Sequence, residues 1–213
     1  MGNYLVELAT LMAIFAFVIV SPGADLAMVI RQSILHGRKA AIVTSVGVGA
    51  SLLFHISYTI LGLGLVISKS LLLFNLVKWC GVAYLIYIGV QSLRASVRPA
   101  APELYDDARS VAGQSLVKAF GLGFAANALN PKPVFFFLSV FATVVSPETP
   151  AAVKFCYGLV MSGSLILWFV GVSYFMTTRR MRAAFARMSK WIDRVSGVVF
   201  ISLGLKLATE KAA

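Results

Sequence analysis

Charge is scarce in this sequence. Only 13% of its 213 residues are Asp, Glu, Lys or Arg, where a soluble domain carries about 25%. Too little polar surface remains to cover a soluble globule; 59% of the residues are hydrophobic and the mean hydropathy is +0.87. Acidic residues are scarcest, eight against nineteen basic ones. The resulting charge of +11 raises nucleic acid as a partner. The basic residues stand between apolar runs, however, where they act as topology signals, so no nucleic acid is expected. Two cysteines, Cys80 and Cys156, lie singly in apolar segments, which excludes a disulfide framework and a CxxC redox motif. HExxH, GxSxG and clustered carboxylates are all missing. Neither an enzyme nor a metal or other cofactor is expected. No Lys or Arg precedes the first apolar run and no small-residue cleavage site follows it, so a cleaved signal peptide is not expected either.

What the chain does have is apolar length. A spanning helix needs about 20 apolar residues, and six stretches meet or approach this, over residues 4–35, 40–67, 71–93, 115–145, 151–176 and 191–207. The last is marginal, because Asp193 and Arg194 stand near its start. One hydrophilic linker, residues 96–114, divides a first three-span repeat (1–95) from a second (115–213). The expected fold is an all-α integral membrane protein.

Two of the six spans are interrupted. Ser21-Pro22-Gly23-Ala24-Asp25 cuts the first, and Asn130-Pro131-Lys132-Pro133 cuts the fourth. A break at membrane depth frees backbone groups that have no water to bond, and an ionisable group there reads by default as functional. The first break carries a carboxylate and the second an ammonium. Pro22 and Pro131 are 109 residues apart, Trp79 and Trp191 are 112 apart, and the third span of each half repeats a glycine pair, Gly81/Gly89 and Gly197/Gly204. Three spans per half require the second half to be inverted. Two kinked helices without function would carry the same prolines, but discontinuous helices at matched positions of an inverted repeat point to a transporter site near the midplane.

The two breaks share a grammar: a side-chain acceptor at the N-cap, Ser21 or Asn130, then proline at the first helical position. Each predicts a fresh half-helix whose N-terminus, with its unpaired N–H groups and partial positive charge, suits an anion. Gly23 allows close approach. Three readings of Asp25 and Lys132 stay open. They pair and hold the fold; or they divide a zwitterion, Asp25 taking the ammonium and Lys132 the carboxylate; or Asp25 carries the coupled proton. The bland reading of Asp25 is a helix-dipole partner. The candidate binding residues are Ser21, Pro22, Gly23, Asp25, Asn127, Asn130, Pro131, Lys132 and Pro133. His55, within the second span, reads first as a hydrogen-bonded packing residue and second as a proton relay. Glu7 and Lys154 are expected to snorkel to the interface, and Phe135-Phe136-Phe137 to face lipid or neighbouring helices. Small residues such as Thr44-Ser45-Val46-Gly47 allow close helix contacts.

The two motifs, with Arg31-Gln32 and Gly37-Arg38 after the first, resemble the LysE/RhtB family of amino-acid exporters, and the likeness extends over nearly the whole chain. The family's usual first motif is Ser-Pro-Gly-Pro-Asp; Ala24 here replaces its second proline. The resemblance implies export of amino acids or close derivatives, driven by protons, through a bacterial inner membrane. Asp25 resembles the homoserine/threonine branch, since the basic-amino-acid branch has an amide near that place, and implies a neutral substrate. Expected partners are thus an amino acid, protons and lipid; the small-residue helices allow a homodimer. A channel, or a transporter for another small metabolite, is the alternative. The basic residues around Arg38, Arg94 and Arg179 to Arg194 share one side, while Lys69, Lys78, Lys154 and Lys206 share the other. The positive-inside rule then expects both termini outside.

Overall fold

A computed structural model describes residues 2–69, 71–97, 114–175 and 179–209. These residues form seven helices and no strand: α1 (Gly2–Val20), α2 (Ala24–Lys69), α3 (Leu71–Val97), α4 (Leu116–Ala128), α5 (Pro131–Val144), α6 (Ala151–Phe175) and α7 (Arg179–Thr209). Most of the expected linker, residues 98–113, lies outside the described residues. Among the described residues four stretches are long and apolar enough to cross a membrane: Asn3–Val20, Ala24–Leu61, Lys78–Val97 and Ala151–Phe175. The helices α4 and α5 have 13 and 14 residues. At 1.5 Å per residue each reaches only about 20 Å, short of a hydrocarbon core of about 30 Å.

The breaks are where the sequence puts them. Pro22 and Pro131 have no N–H to continue a helix, and the chain leaves helical geometry at residues 21–23 and 129–130. A further bend divides α2 at Gly37, whose φ of 81° and ψ of 174° lie outside the helical region. A side chain would be strained at that φ, and glycine is not. The arm 24–36 therefore ends at the basic turn and a second arm, 38–69, follows the bend.

Two expectations need correction. Helix α7 begins at Arg179, twelve residues before the expected sixth span. The basic segment contains no proline or glycine before Gly197, and its Arg, Met, Ala and Lys are strong helix formers, so nothing stops the helix from running through it. Second, Glu7 is not merely a solvated charge at a span end. Its carboxylate accepts hydrogen bonds from the Ser146 N–H (3.1 Å), the Thr149 hydroxyl (3.0 Å) and the Tyr157 hydroxyl (3.0 Å). It ties α1 to the turn between α5 and α6, because that turn offers donors with no helical partner. Lys154 does remain at the surface, donating to the Pro147 carbonyl at 3.3 Å.

Glycines let the helices close on one another. The most extensive pairings are α2 with α4, α3 with α7 and α2 with α6. A Cβ on Gly47 would run into the Phe120 carbonyl, and one on Gly123 into the Thr44 carbonyl. The same crossing is sealed by the Thr44 hydroxyl donating to the Ala119 carbonyl at 3.0 Å. Between α3 and α7 the approach is reciprocal: a Cβ on Gly89 would stand 2.9 Å from the Gly197 carbonyl oxygen, and one on Gly197 2.8 Å from that of Gly89.

Gly123→Ala is expected to destabilise the protein by about 1–3 kcal/mol, the usual penalty of overpacking, seen as a lower melting temperature in detergent. Gly121→Ala, whose methyl group would meet open space, serves as the control and should melt no lower than the parent. Equal melting of all three proteins would remove the α2–α4 crossing as a packing constraint. Glu7→Ala should also lower the melting temperature, by an amount matching about 1–3 kcal/mol for hydrogen bonds to a charged group; no change would mean the tie contributes nothing.

Candidate functional site

The two breaks open on one cavity, partly continuous with the exterior. Seven of the nine candidate residues line it: Ser21, Gly23, Asp25, Asn127, Asn130, Lys132 and Pro133. Pro22 and Pro131 do not; they shape the breaks without facing the space.

The second break is built as its grammar predicts. Asn130 is the N-cap of α5, with φ −83° and ψ 120°, and its side chain accepts from the Lys132 N–H at 3.0 Å. Pro131 follows at the first helical position. The end of α4 is satisfied too: Leu129 N–H donates to Ala125 C=O and Asn130 N–H to Asn127 C=O, both at 3.0 Å. One of the N–H groups expected for an anion is therefore already taken by Asn130.

The first break differs from expectation. Ser21 is not the N-cap of the following half-helix. Its N–H donates to the Phe17 carbonyl at 3.1 Å and so completes the last turn of α1. The new helix starts at Ala24, and the Gly23 carbonyl accepts its first bond, from Ala27 N–H at 3.0 Å. Ala24 stands at the first helical position, where the resembled motif has proline. The shift puts Asp25 in the first turn of α2, where the helix dipole favours a carboxylate.

Asp25 is bound to the other half of the chain. Asn127 of α4 donates its side-chain N–H to Asp25 Oδ2 at 2.9 Å. The remaining oxygens of this pair, Asp25 Oδ1 and Asn127 Oδ1, are buried and have no hydrogen-bond partner. Lys132 is near enough to Asp25 to interact with its charge. Its Nζ makes one long hydrogen bond, 3.5 Å to the Val18 carbonyl, and lies 5.4 Å from the centre of the Phe200 ring. A Cβ on Gly23 would stand 3.8 Å from that ammonium, in ordinary van der Waals contact.

Two further residues bear on the site, one of which the sequence reading did not single out for it. His55 is buried, as the packing reading expects, but it is anchored to the site: Nε2 lies 3.0 Å from the Asn127 carbonyl and Nδ1 2.6 Å from the Tyr58 hydroxyl. A carbonyl only accepts, so Nε2 carries the proton, and in the neutral ring Nδ1 accepts from Tyr58. His55 thus holds the residue that holds Asp25. Asp193 of α7, noted only as a flaw in the sixth span, is 8% exposed and acts electrostatically on Lys132. Its recognition needed the fold, because nothing local distinguishes it from a charge at a helix end. The aromatic triplet also resolves: Phe136 and Phe137 are buried and line the cavity, while Phe135 stacks on Tyr84 with ring centres 4.5 Å apart.

Comparison with known proteins now adds a name for the group. Residues 16–211 match the family described as LysE type translocator. The chain belongs to this family. Its members are transporters, not enzymes, and the expectation of a non-enzymatic membrane protein stands on that membership. Among similar proteins, the threonine efflux protein of Salmonella typhi is 28% identical over 89% of this chain and 91% of its own length. The homoserine/homoserine lactone efflux protein of Salmonella typhimurium is 29% identical over 91% of each. The uncharacterized membrane protein YrhP of Bacillus subtilis is 26% identical over 91% of this chain and 94% of its own. No solved structure matches.

Replacing His55 by Phe removes a donor from the Asn127 carbonyl and is expected to destabilise the protein by about 1–3 kcal/mol, with His55→Gln, which can still donate, falling between. Thermal unfolding in detergent reads both. Identical melting of His55→Phe and the parent would make the histidine a mere space-filler.

Proposed function

We propose that this LysE-type translocator exports zwitterionic amino acids from the bacterial cytoplasm in exchange for protons. The observation that carries the reading is the complementarity of the cavity to a zwitterion. Two buried acceptor oxygens, Asp25 Oδ1 and Asn127 Oδ1, lack donors, and an amino acid's ammonium brings three. Beside them is a cation, Lys132, with only one long hydrogen bond of its own, suited to the carboxylate. All nine candidate residues belong to this reading, seven as lining and Pro22 and Pro131 as the shapers of the breaks. The efflux activities named for the relatives support the outward direction and the substrate class.

Competition at one carboxylate supplies the coupling. Asp25 cannot hold a proton and the substrate ammonium together in the same state, so each weakens the other's binding by the same factor. The charged groups bearing on Asp25 are Lys132 from α5 and, acting on Lys132 in turn, Asp193 from α7. A proton arriving from outside releases the substrate there, and loss of that proton inside restores the site.

The architecture supporting this exchange is six spans in two inverted repeats, residues 1–95 and 115–213, joined by a cytoplasmic linker. Helix α1 with the first arm of α2, and α4 with α5, form the broken spans. The distribution of Arg and Lys favours the inner membrane with both termini outside. In that orientation the Glu7 tie closes the external end, and the two halves rock about the breaks.

Efflux from vesicles preloaded with labelled amino acids, with and without a pH gradient, tests the reading. Saturable, gradient-dependent loss is expected. Asp25→Asn should insert normally yet lose the dependence on the gradient, and Lys132→Ala should raise the KM at least ten-fold. Substrate affinity of the parent should fall as pH is lowered, since protonation removes the carboxylate the ammonium needs. Undiminished gradient-driven transport by Asp25→Asn would overturn the coupling role, and an unchanged KM in Lys132→Ala would leave the lysine a structural partner of Asp25.

A further inference from the structure

We propose that the cavity selects amino acids with apolar side chains over hydroxylated or cationic ones. The proposal deepens the transport reading above and rests on it. The polar side chains of the cavity, Ser21, Asp25, Asn127, Asn130 and Lys132, all come from the breaks or their immediate flanks. The rest of the wall is chiefly Phe15 from α1, Leu52 from α2, Phe136 and Phe137 from α5, and Leu165 and Phe169 from α6. None of these six is more than 4% exposed.

The wall is one surface, not scattered residues. Phe136 and Phe137 stand about one turn beyond Lys132, and the ring of Phe15 packs on both, with centres 6.1 and 6.3 Å apart. An amino acid anchored at the breaks by its ammonium and carboxylate points its third substituent away from both. That direction ends on the apolar wall. The only hydroxyl among the described lining residues is that of Ser21, and it belongs to the break itself. A substrate hydroxyl buried against the wall would lose its water and find no partner, and a side-chain ammonium or guanidinium would fare worse. A branched hydrocarbon would fill the same space with nothing left unpaired.

Valine and threonine isolate the effect, because they have nearly the same shape and differ in a methyl against a hydroxyl. A hydrophobic site separates such a pair by about a hundred-fold, and a single methylene by about 10–200-fold. Calorimetric titration of the purified full chain in lipid nanodiscs with valine, leucine, threonine, homoserine and lysine, each alone, is the test. Valine is expected to bind at least ten-fold more tightly than threonine or homoserine, and lysine more weakly than either. Threonine or homoserine binding as tightly as valine would overturn the selectivity and leave the transport reading intact. Absence of heat with every member of the panel would overturn both. Leu165→Thr places a hydroxyl in the wall and should narrow the valine-to-threonine ratio; a ratio unchanged in that variant would put the side chain elsewhere and overturn the proposal.

Discussion

Everything in this protein depends on how a helix can be broken where there is no water. Each break releases backbone groups that lipid cannot satisfy, and the structure answers with local partners. At the second break Asn130 caps α5 with its side chain, and its own N–H returns to the Asn127 carbonyl. His55 reaches across from α2 to the same carbonyl. At the first, Ser21 closes α1 and Gly23 opens α2. The joints are held, not slack.

Held joints allow charge at depth. Asp25 sits in the first turn of a helix, where the backbone dipoles favour it, and it receives the Asn127 amide. The same contact links the two halves of the chain through their breaks. Half of that hydrogen-bonding capacity stays unused, on Asp25 Oδ1 and Asn127 Oδ1. Unpartnered buried acceptors are costly in a finished fold, and two of the six buried polar atoms without a partner among the described residues meet on this cavity, which supports regarding it as a place something enters. Packing elsewhere is correspondingly tight. Glycines at the α2–α4 and α3–α7 crossings let backbones touch, which gives the site a firm frame.

Much of this was legible beforehand for local reasons. Apolar length marks spans, proline stops helices wherever it falls, and the Asn130–Pro131 cap is a matter of adjacent residues. Local grammar failed where two neighbours offered the same service. Ser21 and Gly23 can each begin a helix, and the choice of Gly23 moved the start to Ala24. It failed again at Arg179 to Lys190, where charge set the expected start of the sixth span at 191 although every residue is compatible with a helix. Family membership matched the resemblance carried by the two motifs.

The sequence by itself determined an all-helical membrane protein with two interrupted helices, a carboxylate at one break and an ammonium at the other. These follow from bonds each residue makes or refuses with its own backbone. Only the tertiary structure decided that Asn127 donates to Asp25, that His55 steadies Asn127, that Glu7 ties α1 to the α5–α6 turn, and that Asp193 acts on Lys132. Those partners lie on helices far apart in the chain. A hydrogen bond between residues a hundred positions apart depends on how helices cross, and the crossing is set by packing that no short stretch of sequence contains.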